Sequence, residues 1–468
     1  MYKRQIVDKD KWEIQKNELF EKFKEEGEKA RKEAWNITLG VIPEEDLDKR
    51  IKEQLKGENN WLLIGGPPCQ AYSLVGRSRV GGISDNDHRV YLYKEYLRII
   101  AVHQPAVFVM ENVKGLLSAK VGRERIFNKI LEDLKEPSTV FPKQGFNCPN
   151  YKIYSLVQHP TEELLKDKDD QPKYSSNSDY LIKSEKYGIP QKRHRVILLG
   201  VREDITRDKI EILGTEEEVP LRKIIGDLPK LRSGVSRRIK EVKQGKDGLL
   251  KLKYEKIEDS PEVWQKIVLK HVDDVITQNG FIKFKDGIKI NLPSADRGKI
   301  YLKKKPSYAK NAYKEWYSDD KLSGICNHET RAHLEEDLKR YFFAALFVKE
   351  YKRFPRLYDY PKSLLPSHKN ASSGKFADRF RVQLANEPAT TVTSHISKDG
   401  HYFIHYDPEQ CRSLTVREAA RIQTFPDNYY FCGSRTAQYI QVGNAVPPLL
   451  AKKIGSIVKN IFEEQELK

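Results

Sequence analysis

The chain has 468 residues, 84 Lys and Arg against 67 Asp and Glu, a formal charge of +17 and 38% hydrophobic residues. A chain of that length buries a large core in two or more domains without staples, and the charge favours polyanions such as nucleic acid, although a lysine-rich solvated surface has the same composition. Five scattered cysteines with no Cys-x-x-Cys exclude a disulfide framework and a zinc ribbon, and neither a signal core nor a run of about 18 apolar residues occurs, so a cytoplasmic protein with no membrane span and no metal is predicted.

Residues 1–60 read as Lys- and Glu-rich helices. Leu19, Phe20, Phe23, Ala30, Ala34 and Trp35 recur there at helical spacing and predict a core-facing stripe. From Trp61 the pattern becomes β-α-β. Leu62 to Ile64 predicts a short buried strand, which Gly65-Gly66-Pro67-Pro68 ends abruptly, lifting Cys69 onto the next loop. A helix over Tyr91–Val102 and a strand over Ala106–Met110 follow, with Glu111-Asn112-Val113 at the strand's end. A helix over Arg123–Leu134 and strands over Tyr151–Val157 and Arg195–Gly200 complete the pattern, the last preceded by Gln191-Lys192-Arg193-His194-Arg195. Strands alternating with helices predict an α/β fold built on a doubly wound, mostly parallel sheet. Cys69, Glu111 and the two arginines then fall at strand ends, where ligands of such sheets bind.

Between about Val201 and Gln410 lysine-rich, weakly periodic segments alternate with short strands and one good helix, Arg331–Tyr351, which predicts an inserted, irregular, basic α+β domain. Thr415-Val416-Arg417-Glu418 has the form of a capping box opening a helix that Pro426 ends. Gly443-Asn444-Ala445-Val446-Pro447-Pro448 predicts a tight turn before an apolar helix over Leu449–Phe462.

Methylating carbon 5 of a cytosine needs a group that makes this carbon nucleophilic. A thiolate added to C6 does so, provided an acid engages N3 and cations hold O2. Cys69, Glu111 and the Arg193/Arg195 pair supply those three functions, and a base inside duplex DNA has to be flipped out to meet them. Each part also has a plainer reading. A lone cysteine is commonly a small buried hydrophobe, Glu-Asn a helix-capping turn, Arg-x-Arg a solvated strand edge, and Arg417 with Arg421 one exposed helix face. Their ordered, joint occurrence is much harder to dismiss.

From Trp61 to the C-terminus the chain resembles the DNA (cytosine-5)-methyltransferases of bacterial restriction-modification systems. The resemblance rests on five blocks in family order: Gly65–Gln70 with Ser73, Phe108–Val113, Gln191–Arg195, Leu414–Pro426 and Gly443–Pro448. It implies a Rossmann-like methyltransferase sheet, with Cys69 as nucleophile, Glu111 on N3, and Arg195 helped by Arg193 on O2. Pro68, Leu92 and Asn444 would line an S-adenosylmethionine pocket. Gln70, Ser73, Gln191, Thr391 and Val392 would meet double-stranded DNA, near which the protein would reside in the nucleoid. The implied organisation is a helical segment over 1–60, a catalytic core over 61–205, a target-recognition domain over 206–410 and a return to the core over 411–468.

One departure lies upstream. The family opens with a Phe-x-Gly-x-Gly-Gly turn beside the methionine part of the cofactor, and residues 1–60 contain only Gly27, Gly40 and Gly57. The chain is then the downstream product of a split or mis-started gene, a subunit whose second polypeptide carries the missing block, or an inactive remnant. Intact catalytic blocks favour the first two. A DNA-binding protein without catalysis, and an RNA methylase on the same scaffold, are the rival functions.

Overall fold

The computed structural model describes residues 9–68, 92–121, 124–161, 171–205, 210–244, 250–272, 274–275, 292, 296–365 and 379–466. The chain divides into two compact units. One, the sheet unit, comprises Lys16–Tyr187, Arg193–Glu216 and Leu450–Lys468; the other, the insert unit, comprises Met1–Gln15, Gly188–Lys192 and Glu217–Leu449. Residues 411–449, expected with the catalytic core, therefore cluster with the insert, and the return comes at Leu450.

The sheet unit is built on strands β1 (Leu62–Gly65), β2 (Val107–Val113), β3 (Tyr151–Ser155), β4 (Leu181–Lys183) and β5 (His194–Arg202). β1 pairs parallel with β2, and β5 lies antiparallel to β2 on one side and to β3 and β4 on the other. Four of the five strands thus run one way, and β5 alone is reversed. One face is filled by Phe108, Met110, Tyr151, Ile153, Val196 and Leu198, packed against helices α4 (Tyr93–His103) and α5 (Ile126–Lys135). Phe108 lies opposite Gly200 in register, and a Cβ at Gly200 would overlap its ring, so the glycine makes room for the largest side chain of β2.

The N-terminal stripe does not form the predicted core. Along α1 (Lys9–Lys22) and α2 (Lys24–Glu33), Leu19, Phe23, Ala30 and Ala34 are exposed, as is Trp35, and Phe20 is half-buried. Instead Lys22, Arg31 and Arg50 lie over the faces of Phe23, Phe20 and Trp35, a cation–π shielding open to long basic side chains at the surface. α3 (Glu44–Leu55) is anchored by charge: Asp48 accepts two hydrogen bonds from Arg98 of α4 (3.0 and 2.6 Å), whose Nε also pairs with Glu44 at 2.8 Å.

β1 also departs from the buried strand its sequence suggests. Ile64 is 71% exposed and Leu62 37%, and among the described residues β1 is paired on one edge only. Its other face is held down by Tyr96 of α4, whose hydroxyl reaches the carbonyls of Leu63 (3.3 Å) and Val109 (3.2 Å).

In the insert unit the lysine-rich stretch after Val235 forms a hairpin, β6 (Arg237–Gln244) with β7 (Leu250–Lys256). Helix α6 (Pro261–Val272) and α7 (Glu335–Tyr351) share a core with Trp264, Tyr341 and Phe342 at its centre. A second core surrounds α8 (Val416–Ile422) and α9 (Arg435–Asn444). The predicted capping box is present: Thr415 Oγ1 accepts from Glu418 N, and the Glu418 carboxylate accepts from Thr415 N. Arg417 and Arg421 are fully buried, contrary to the exposed-face reading, because Arg421 is paired with Asp427 (2.6 Å) and Asp227 (2.7 Å), and Arg417 donates to the carbonyls of Cys326, Pro426 and Tyr429. The last helix, α10 (Pro448–Glu466), starts on a proline and belongs to the sheet unit from Leu450 onward. No described helix is long and apolar enough to cross a membrane.

Candidate active site

β2 does not stop before Glu111 but runs through it to Val113. Because successive side chains of a strand face opposite ways, Glu111 and Asn112 are divided between two tasks. Asn112 is buried, accepts from Val113 N at 2.9 Å, and donates from Nδ2 to the carbonyl of Pro67 at 3.4 Å. It thereby ties β2 to the loop leaving β1, two residues before Cys69. Glu111, on the opposite face, pairs with Arg195: Nε to Oε1 is 2.8 Å, with 16% of the Arg195 side chain and 23% of the Glu111 side chain exposed.

The reversal of β5 makes that pair. Arg195 lies opposite Val113 in register, and Glu111 is the same-face diagonal neighbour two residues back. A parallel β5 would carry its first residues to the far end of the sheet. The third element closes from β1, where a Cβ at Gly66 would stand 3.2 Å from Glu111 Oε2, so the end of β1 approaches the carboxylate at close range. Carboxyl, guanidinium and the chain leading into Cys69 therefore meet at one end of the sheet. A cavity of about 390 Å³ lined by Lys52, His103, Gln104 and Arg202 lies at the other end and contains no expected site residue.

Cys69, Gln70 and Ser73 lie outside the described residues. Pro68 is exposed at the end of β1, and Leu92 is half-buried just before α4. Arg193 is only 2% exposed and its carbonyl accepts from Ser184 N and Oγ (3.2 and 2.6 Å), so of the two arginines Arg195 is the one open to a ligand.

In the insert unit Gln191, expected to touch DNA, is fully buried. Its amide nitrogen donates to Ile422 O (3.1 Å) and Gln423 Oε1 (2.6 Å), and its oxygen accepts from Val392 N (3.1 Å). The side chain is spent on positioning the Thr391–Val392 segment rather than on a ligand. Val392 is itself buried, whereas half-buried Thr391 donates from Oγ1 to Lys192 O at 2.6 Å. Gly443 sits where a Cβ would overlap the backbone of Thr393 and Ser394, so α9 packs onto this segment as closely as two backbones allow. Asn444, one residue on, is exposed. The sequence reading missed Asn112 and Gly66 as positioning residues, although strand alternation across Glu111-Asn112 carried the signal for the former.

The family model for C-5 cytosine-specific DNA methylase matches residues 16–138 and 174–460. This chain belongs to that family. The type II methyltransferase M.Bpa9945I of Bacillus paralicheniformis is 34% identical to this methylase over 405 residues, 86% of the chain and 70% of the relative. The DNA (cytosine-5-)-methyltransferase M.ApeKI of Aeropyrum pernix is 26% identical over 454 residues, 91% and 86% of the two chains. The type II methyltransferase M.DdeI of Desulfomicrobium norvegicum is 25% identical over 420 residues, 86% of this methylase and 74% of the relative. The family assignment makes the methylase a DNA cytosine-5 methyltransferase. Among its described residues no group of three or more His, Cys, Asp or Glu side chains gathers as a metal site.

Proposed function

We propose that this methylase transfers a methyl group from S-adenosylmethionine to carbon 5 of a cytosine flipped out of double-stranded DNA, as the modification arm of a restriction-modification system. The observation that carries the reading is the Glu111–Arg195 pair beside the end of β1. N3 and O2 of cytosine are neighbouring positions on the ring, so a carboxyl and a guanidinium already in contact can grip both. The type II naming of the relatives supports the restriction-modification assignment.

The Cys69 thiolate adds to C6, forming a sulfur–carbon bond and placing the former C5=C6 electron pair on C5. Glu111 and Arg195 stabilise the charge that reaches N3 and O2. C5 would then bond to the methyl carbon as the sulfonium S–CH3 bond breaks, its electron pair staying on sulfur to leave a neutral thioether, and transfer of the C5 proton to water with expulsion of the Cys69 thiolate would restore the C5=C6 double bond. S-adenosylmethionine supplies the electrophilic methyl. Within the sheet unit, exposed Pro68 at the end of β1 and half-buried Leu92 just before α4 suit part of such a ligand and would hold it.

The test is covalent trapping. A pool of duplex oligonucleotides containing 5-fluorocytosine should give a denaturation-resistant, cofactor-dependent protein–DNA adduct that disappears in Cys69→Ser. Absence of any adduct, with duplex binding intact, would leave a DNA-binding protein without catalysis; a preference for transfer RNA over duplex DNA in competition would favour RNA methylation.

A second reading is favoured by β1. An edge of β1 that no described strand pairs, beside exposed Leu62 and Ile64, suits the addition of a further strand, as a second polypeptide carrying a strand and a Gly-rich turn would provide. Under it the isolated chain binds S-adenosylmethionine weakly in calorimetry. Tight binding by the chain alone would refute it.

A further inference from the structure

Within the insert unit four arginines gather around one short stretch of backbone, Glu329 to Arg331. Arg297 Nη2 and Arg435 Nη1 both donate to the carbonyl oxygen of Thr330, at 2.6 and 2.9 Å. Two guanidinium groups sharing one oxygen stand close enough to repel each other strongly. Arg331 lies over the ring of Tyr439 at 4.6 Å and donates to Ile396 O and Lys398 O, while Arg232 shares Asp259 with Arg297, at 2.7 and 2.6 Å. Among the described residues the carboxylates acting on these four arginines are Asp259, Glu262 and Glu329, so guanidinium charge exceeds carboxylate charge. Asp259 is already committed to Arg232 and Arg297.

The cluster is built rather than accidental. Arg232 and Arg331 are nine-tenths or more buried, and the Nε atoms of Arg232, Arg297 and Arg331 are buried with no hydrogen-bond partner. The Arg297 guanidinium is pressed against Gly234, where a Cβ would stand 2.7 Å from its Cζ. Arg435, by contrast, lies at the first turn of α9 with part of its side chain open to solvent and its guanidinium packed against the cluster, and its bond to Thr330 is its side chain's only hydrogen bond among the described residues. Burial presses its pKa below the ordinary value, with Tyr439 and Glu329 opposing that shift and the like charges of Arg331 and Arg297 adding to it. A guanidinium fork with unused N–H groups, at the rim of an electropositive cluster and on the first turn of a helix, suits one chemical class above others: a phosphate diester.

We propose that Arg435, backed by Arg297 and Arg331, holds a backbone phosphate of the DNA substrate. The assignment rests on the reading of the chain as a DNA methylase and gives a residue of the insert a defined role in duplex binding that carries no base information. The experiment measures the affinity of the full chain for a fluorescent duplex between about 50 and 300 mM salt, the range over which such contacts are resolved. Arg435→Gln should weaken binding about tenfold at the lowest salt and reduce the slope of log affinity against log salt by about 0.9, the loss of one phosphate contact. Arg435→Lys, which keeps the charge, should retain most of the slope. Lys143→Gln, which removes an exposed charge in the sheet unit, serves as the comparison. If Arg435→Gln leaves the slope unchanged, or changes it no more than Lys143→Gln does, the phosphate site is wrong even where methyl transfer persists. If the wild-type chain neither binds duplex DNA nor forms the trapped adduct, the functional reading falls along with the site.

Discussion

Glu418→Gln should lower the melting temperature of the insert unit by about 6–12 °C at pH 7. Glu418 and Arg412 are almost completely buried, and the carboxylate accepts Nη1 at Oε2 and Nη2 at Oε1, both at 2.7 Å, together with the backbone N–H of Thr415 at 2.7 Å. Removing one charge of such a pair leaves the other desolvated and uncompensated, at a cost of about 3–5 kcal/mol. The amide keeps one acceptor oxygen for the helix cap, which places the cost near about 3 kcal/mol, and a unit of this size shifts by about 2–4 °C per kcal/mol. Burial alone would raise the pKa of Glu418, but the charge and hydrogen bonds of Arg412, with smaller help from His405 and His328, hold it well below the usual carboxylate range. A depressed folded-state pKa stabilises above the unfolded value of about 4.3 and ceases to do so as the pH falls towards the folded value. The gap between wild type and variant should therefore be full at neutral pH and narrow below about pH 4. Differential scanning calorimetry at several pH values measures it. A shift below about 2 °C at pH 7, or a gap that does not change with pH, would show that the pair contributes no net stability.

Glu111→Gln and Arg195→Ala should each reduce methyl incorporation into duplex DNA about 10²–10⁴-fold with little change in melting temperature, since both side chains are partly exposed at a strand end; a stability loss matching the activity loss would point to a structural pair instead. His271, His328 and His405 have pKa values lowered to about 4, chiefly by burial. The folded state therefore binds fewer protons than the unfolded chain, and thermal melts should show stability falling as pH drops from about 6.5 towards 4. Ile64→Lys should change the stability of the isolated chain by no more than about 0.5 kcal/mol, whereas Phe108→Ala in the same sheet should cost about 3–5 kcal/mol, as chemical denaturation would report.

The sequence was most informative where local rules govern. The Gly-Pro stop after Ile64, the capping box at Thr415 and the helix after Pro447 all depend on neighbours within a few residues, and each is found in place. Strand direction is another matter, since hydrophobic alternation reads the same from either end. The reversed β5, which brings Arg195 to Glu111, was therefore hidden while the residues themselves were plain. The burial of Arg417 and Arg421 was hidden for a related reason. Charges four apart on a helix read as a solvated face unless their partners are known, and Asp227 lies 194 residues from Arg421 along the chain. Leu19, Phe23 and Trp35 failed in the opposite sense: helical spacing of apolar residues indicates a face, but whether anything lies against that face is decided elsewhere in the chain.

The bare row on β1 leaves a trace that evolution can be made to report. If nothing ever covers Leu62 and Ile64, drift should admit Lys, Glu or Thr there freely among close relatives of this chain, since a charged side chain in water costs nothing at a surface position. If a neighbouring strand regularly lies against them, substitutions should stay greasy and β-branched, and the gene for that neighbour should travel with this one from genome to genome.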